Sequence, residues 1–473
     1  MKPFSTLKVA LALTASVHTL LAEPDRTQKP QPGPAPAASF PDYQLRELSN
    51  GLKVFVIEDD RKPTITLRLL IKSGSTSDAG KTGLAGFTAG LLNRGTETLT
   101  AAQFAAETDF IGMRLEAMAG PDSIAVSAGG LTKYTEKILA LFTDAVLHPA
   151  FPEDQFAKEQ RKTLSALAAE KQEPARLASK LAGKVIFGEH PYGAFMTPAT
   201  VQAVTREDLA GFHRRHFLPN NATLAVVGDV SAADILPRIE KALEAWKPGA
   251  LPELELPPAP SLKGITVHLV DRPGSVQSNI RVCETGPARR DPNVPELNVL
   301  NATLGGGFSG RLFQNLREKH GWTYGAYSAF DMRKHAGAFE ASAETRNDVT
   351  AKAIEETLKE IARLRDEPVP EQELELQRQY NIGNYLLSLE NTGRTAQRVQ
   401  DIDLYGLPPD FYKTYARRME AVTAASTQEL ARKFLSTENV AITVVGEAKE
   451  VLPELEKIGK VHVYDTELQP IKK

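Results

Sequence analysis

The chain repeats itself. Gly51-Leu52-Lys53-Val54-Phe55-Val56-Ile57-Glu58-Asp59 returns as Gly264-Ile265-Thr266-Val267-His268-Leu269-Val270-Asp271-Arg272, 213 residues later. Phe151-Pro152-Glu153-Asp154-Gln155-Phe156 returns at Val369, 218 residues later, and Ala203-Val204-Thr205 returns at Ala421. The run from Phe217 through Val226-Val227-Gly228-Asp229 returns from Phe434 through Val444-Val445-Gly446-Glu447. Solenoid repeats have periods of roughly 20–50 residues, so a repeat this long is a duplicated domain. Within each copy, short apolar strands alternate with long helical stretches. That pattern gives α+β domains, each a sheet with helices packed on one face.

The copies set the boundaries. Residues 41–247 form the first domain and 263–473 the second. Residues 248–262, Pro-rich from Pro248 to Ser261, form the linker. Before them, Lys2 and Lys8 precede a short apolar run, Val9 to Ala15, followed by Leu20-Leu21-Ala22. This is the layout of a secretory leader, residues 1–22, with cleavage after Ala22. Residues 23–40 form a Pro-rich spacer. The expected location is the bacterial periplasm or the exterior. The formal net charge of −3 argues against a nucleic-acid binder, which carries a basic stripe. The lone Cys283 rules out an internal disulfide and a cysteine metal cluster, and packs as a small buried residue.

The densest chemistry lies between Leu304 and Phe330. Gly305, Gly306 and Gly307 open a flexible turn. Ser309, or Ser309-Gly310, can open a short helix as its N-cap; the apolar face of that helix is Leu312, Phe313 and Leu316. Gly321 suits the position after its last turn. Trp322, Tyr324 and Ala326 then alternate as in a half-buried strand. Arg317 and Tyr324 flank this helix–strand corner and offer two hydrogen-bond donors to a peptide carbonyl or carboxylate. Arg311 reads as structural. The letters G-x-G-x-x-G are met from Gly305 to Gly310, but a helical stretch, Pro295 to Leu304, precedes them instead of the strand a dinucleotide site needs.

Arg317-Glu318-Lys319-His320-Gly321-Trp322-Thr323-Tyr324 resembles the arginine/tyrosine signature of the M16 (pitrilysin/insulinase-like, mitochondrial-processing-peptidase-like) zinc peptidases. The resemblance implies two homologous M16/LuxS-like domains, each built on a mainly antiparallel sheet. It also implies a zinc motif, H-x-x-E-H, on a helix of the first domain. Gly83-Leu84-Ala85-Gly86-Phe87-Thr88-Ala89-Gly90 to Gly95-Thr96 keeps the frame of that motif. Its histidine positions are Gly86 and Gly90, and its base position is Ala89. The third ligand position falls at Ala166. Glycine and alanine have no lone pair for a metal, so this chain is expected to hold no zinc of its own.

His213 and His216 sit at i and i+3 on a helix, but the sequence places no third ligand nearby. His190 reads as a turn residue. His148, His268, His320, His335 and His462 are isolated.

In some members of the family one chain carries H-x-x-E-H and its partner carries the arginine/tyrosine pair. The resemblance therefore implies a non-catalytic, substrate-binding subunit of a heterodimer. Zinc would come from an H-x-x-E-H partner, and the substrate would be a short or unfolded, extended peptide, to which Tyr324 and Arg317 contribute contacts. In related non-catalytic subunits a glycine-rich loop handles substrate, here Gly305 to Gly307. Two alternatives stay open. One is a structural or assembly protein of this fold, similar to core subunits of respiratory complexes. The other is an autonomous enzyme with a different site.

Overall fold

The computed structural model describes residues 39–471. The leader and most of the Pro-rich spacer lie outside the described residues. The strands, in chain order, are β1 (Gln44–Glu47), β2 (Lys53–Glu58), β3 (Thr64–Ile71), β4 (Arg114–Ala119), β5 (Ile124–Leu131), β6 (Ala222–Gly228), β7 (Thr266–Asp271), β8 (Gln277–Gly286), β9 (Thr323–Met332), β10 (Gly337–Arg346), β11 (Ala441–Gly446) and β12 (Lys460–Tyr464). They form two six-stranded sheets, ordered β1-β2-β6-β3-β5-β4 and β12-β7-β11-β8-β10-β9.

The duplication is plain in these orders: β2-β6-β3-β5-β4 matches β7-β11-β8-β10-β9. Both sheets are mainly antiparallel. The parallel pairs are β2 with β6, β7 with β11, and β12 with β7. The sixth strand differs. In the first sheet it comes from the N-terminal side and runs antiparallel to β2; in the second it is the C-terminal β12.

Each sheet packs the helices of its own half on one face. In β2, Val54 and Val56 join the core of the first half, while Phe55 and Ile57 point the other way. That is the period-two alternation of a strand. The second face of each sheet takes one helix from the other half. Pro174–Phe187 lays Leu177, Ala178 and Leu181 against Val270 and Val445 of the second sheet. It also lays Ala182, Ile186 and Phe187 against Cys283. Thr392–Tyr405 returns the exchange, with Ala396 and Val399 in one cluster with Phe55, Ile57, Ala225 and Val227 of the first sheet. There the fully buried Gln400 donates through Nε2 to the carbonyls of Arg68 (2.7 Å) and Thr223 (2.8 Å). An amide buried without such partners would cost about 1–3 kcal/mol. The exchange explains why β6 and β11 are buried at every position.

Residues 246–263, between the two sheets, have neither helix nor strand. Phe40, at the end of the Pro-rich stretch, is buried and stacks on Tyr412 with ring centroids 5.4 Å apart. Among the described residues, no helix is long and apolar enough to cross a membrane.

Candidate functional site

The motif-frame stretch of the first half forms the helix Leu84–Leu91. Gly83 starts it with φ +104°, a left-handed conformation that suits glycine. The Asp78 carboxylate accepts the N–H groups of Gly83 and Ala85, each at 2.8 Å, and so satisfies donors that a helix start leaves free. Burial pushes the Asp78 pKa up to about 6, against the lowering effect of those backbone donors. Phe87 packs edge-on against Phe156, which anchors the helix to Glu153–Glu170.

The frame is intact and the ligand positions are bare. Gly86 is exposed, and a Cβ built on Gly86 or on Gly90 meets nothing within 4 Å. Ala89 is buried, and Ala166 is on the exposed side of its helix. These four residues do not fit a zinc ion: they offer no donor atom beyond the backbone. Among the described residues, no three His, Cys, Asp or Glu side chains come together to hold a metal.

The histidines are occupied elsewhere. His213 Nε2 lies 2.8 Å from the Val146 carbonyl, and His216 Nδ1 lies 3.1 Å from Ser73 Oγ. Burial lowers both to about 4. The two rings serve separate structural contacts and form no shared site. His190 Nδ1 accepts the Tyr192 N–H at 3.1 Å, the turn role expected of it. Cys283 is fully buried, and burial raises its thiol pKa.

In the second half, the helix Val294–Leu304 leads into the glycine turn, followed by a short helix, Arg311–Phe313, and a π-helical turn, Gln314–Lys319. Leu312, Phe313 and Leu316 are buried, as their spacing predicts. The helix starts at the second of the two residues that the sequence offers. Gly310, not Ser309, is the capping residue, and no side chain caps it. The Ser309 hydroxyl instead accepts a bond from Gln377 Nε2 at 3.1 Å. Asn315 is buried and donates to Glu356 and Glu360, both at 2.8 Å. These bonds tie the π turn to the helix Thr350–Asp366. Gly321, with φ +64°, ends the turn.

The glycine turn is closely packed at its two ends. Gly305 backs onto Ser328, and a Cβ there would stand 2.6 Å from Ser328 N. Gly310 closes on Gly305 at 2.9 Å by the same measure. The Phe308 carbonyl accepts a bond from Gln314 Nε2 at 2.7 Å.

Arg317 and Tyr324 stand at the corner the sequence indicates. The Arg317 guanidinium lies 4.9 Å above the Phe313 ring and bonds the exposed Glu318 carboxylate at 2.6 Å. Such an exposed pair contributes at most about 1 kcal/mol, so the guanidinium is free to exchange partners. Tyr324 is 89% exposed, and its hydroxyl has no partner among the described residues. The simple alternation of Tyr324 with Ala326 fails, since Ala326 is buried. A bulge explains it: the register with β10 shifts between Ala343 and Thr345 and turns Tyr324 out to solvent. Arg311 does the opposite work. It is 6% exposed and holds Glu373 by two bonds, 2.7 and 3.0 Å.

Sequence reasoning missed three aromatic residues beside this corner. Phe308, Tyr327 and Tyr380 are 71%, 40% and 47% exposed. The signal was present in Phe308, an aromatic placed inside a run of glycines.

Comparison with known proteins finds one family across both halves. The model of the insulinase family (peptidase family M16) matches residues 53–194, and that of the peptidase M16 inactive domain matches residues 203–381. A protein of Rickettsia bellii (strain RML369-C) described as an uncharacterized zinc protease is 26% identical over 361 residues. That match covers 76% of this chain and 86% of the relative. The uncharacterized zinc protease YmxG of Bacillus subtilis (strain 168) is 23% identical over 404 residues, with 84% and 96% covered. A crystal structure of a peptidase M16 inactive domain from Pseudomonas fluorescens superposes with a TM-score of 0.80 at 25% identity, covering 86% of this chain and 98% of that one. A protease from Helicobacter pylori shares the fold, with a TM-score of 0.80 at 20% identity, covering 86% of this chain and 99% of that one.

Proposed function

This chain belongs to peptidase family M16, and from that premise we propose that it is the non-catalytic, substrate-binding subunit of a heterodimeric zinc peptidase. The partner is a chain of the same family carrying H-x-x-E-H, and the zinc is the partner's. The substrate is a short or unfolded peptide in extended form. One observation carries the reading. The metal positions of the first half end in hydrogen or methyl, while the second half presents an unpartnered phenol beside an exchangeable guanidinium.

In this reading Tyr324 donates its hydroxyl proton in a hydrogen bond to the carbonyl oxygen of the bond to be cut, where negative charge develops. Arg317 leaves Glu318 to grip the peptide backbone or a terminal carboxylate. The Phe313 ring beneath it keeps the guanidinium plane in place. Gly305 to Gly307 belong to the substrate-facing surface. The exported setting, periplasmic or secreted, and the leader at residues 1–22 are part of the same proposal.

The test is reconstitution. The chain alone should cleave no peptide, and adding an H-x-x-E-H partner should produce cleavage. Tyr324→Phe should then lower turnover about a hundredfold, the typical effect of losing one donor to a developing oxyanion. Assembly with the partner should stay intact. Turnover indifferent to Tyr324→Phe would remove the assigned role. A stable complex without peptidase activity would favour a structural, assembly role for the chain.

A further inference from the structure

β9 is an edge strand, and an edge can take a further strand from a peptide. Here that edge is closed in its middle. The Ser328 N–H donates to the Gly305 carbonyl at 2.8 Å, and Asn301 Nδ2 donates to the Ser328 carbonyl at 3.0 Å. Ser328 Oγ also donates to Asn301 Oδ1 at 2.9 Å, which fixes the amide. A peptide lying along Tyr324 therefore cannot continue its backbone pairing past Ser328. From that point it meets side chains.

Those side chains are aromatic and held in place. Phe308, at the tip of the glycine turn, packs edge-on against Phe313 at 5.0 Å and against Tyr327 at 6.5 Å. Phe313 in turn lies 6.1 Å from Tyr327 and carries Arg317 on its face. The Tyr327 ring lies back over Gly325, where a Cβ would stand 2.7 Å from it. Tyr380 flanks the turn from the helix Glu371–Ser388, its hydroxyl 3.5 Å from the Cβ position of Gly307. Rings that are exposed, grouped and rigidly supported mark a contact surface more than scattered exposed residues do. Their continuity with Arg317 through Phe313 places this platform next to the proposed peptide.

We propose that Phe308, with Tyr327 and Tyr380, forms a subsite for a large apolar or aromatic side chain of the bound peptide, and that Phe308 sets this preference. The inference rests on the peptide-binding reading above and deepens it. The plug at Ser328 ends backbone pairing where the platform begins, so specificity at this point comes from ring contacts. Glycine at 305 and 310 lets the turn come close enough to serve as both plug and mount.

The full-length chain can be tested by fluorescence anisotropy with two labelled ten-residue Ser/Ala/Lys peptides, identical except for one central Phe or Ala. The Phe peptide should bind about tenfold more tightly, the scale of one added aromatic contact. Phe308→Ala should abolish the difference and leave the Ala peptide unchanged. Phe308→Tyr should restore it. Phe308 is mostly exposed, so the Ala variant should keep its circular dichroism spectrum. Equal binding of the two peptides by the native chain, no binding of either, or a preference that survives Phe308→Ala would each overturn the proposal. The Tyr324 role fails separately. In that case Phe308 would still govern binding, while reconstituted turnover would ignore Tyr324→Phe.

Discussion

The two halves share one scaffold and differ at its working corner. In the first half, the helix Leu84–Leu91 presents Gly86 and Gly90 to open space beside the edge strand β4. In the second, a π turn presents Arg317 just before the edge strand β9, and a bulge in that strand presents Tyr324. The edges differ as well. On β4, the Asn93 amide bonds the Leu115 carbonyl at 3.0 Å, as Asn301 bonds Ser328 on β9. Beyond it, the N–H and C=O groups of Ala117 and Ala119 have no bond outside the sheet among the described residues. On β9 the difference lies at Ser328 itself, whose N–H donates to the Gly305 carbonyl at 2.8 Å, a bond that the Leu115 N–H lacks among the described residues. A duplicated domain can thus keep its frame residues while one copy loses its reactive groups and the other retains or gains them. Packing maintains the frame, and packing makes no demand on an exposed position.

The two arginines near the glycine turn sharpen that contrast most. Arg311→Ala would leave Glu373 without its buried partner and should cost about 3 kcal/mol in denaturant unfolding. Arg317→Ala should change stability by less than about 1 kcal/mol. Equal costs would mean that Arg317 is structural. The glycines of the first half give the next effect. Gly83→Ala forces alanine to φ +104° and sets its Cβ 2.8 Å from Met196 Sδ, so it should destabilise by about 1–3 kcal/mol. Gly86→Ala, in open space on a helix, should stabilise by about 0.5–1 kcal/mol. Loss of stability at Gly86 would show that the bare position is held by packing after all.

The buried titratable groups add a pH dependence that the exposed corner lacks. Burial lowers His213, His216 and His268 to about 4 in the folded state. Unfolded histidine titrates near 6.5. Their contribution is therefore full above about pH 6.5 and is lost as pH falls toward 4. Glu284 has the opposite sign. Burial raises its carboxyl to about 8, so its contribution is present at low pH and fades as pH rises through 8. His213→Gln should flatten the acid side of the stability profile, and Glu284→Gln the alkaline side. Unchanged profiles would contradict these burial effects.

Much of this was legible in the sequence because it is local or repeated. The repeat from Gly51 to Gly264 gave the two sheets, and the Arg317 to Tyr324 spacing gave the corner. The exchanged helices were not legible. Pro174–Phe187 and Thr392–Tyr405 are amphipathic like many helices, and nothing in their own residues says which sheet they cover. The bulge that exposes Tyr324 was hidden for a similar reason: it is a register relation with β10, some twenty residues away. The close packing of Gly305 and Gly310 was not legible, because it depends on Ser328 and on the turn's own backbone and not on the glycines' neighbours in sequence. The choice between Ser309 and Gly310 as the cap was not legible, because the Ser309 hydroxyl could serve a cap or a distant glutamine equally well.

The central claim is that any metal this chain works with belongs to another polypeptide. It can be tested by incubating the purified, partner-free chain with zinc chloride, dialysing it, and measuring bound zinc by mass spectrometry. The account predicts zinc far below one equivalent per chain. One tightly held equivalent, lost together with peptide cleavage on adding a chelator, would contradict it.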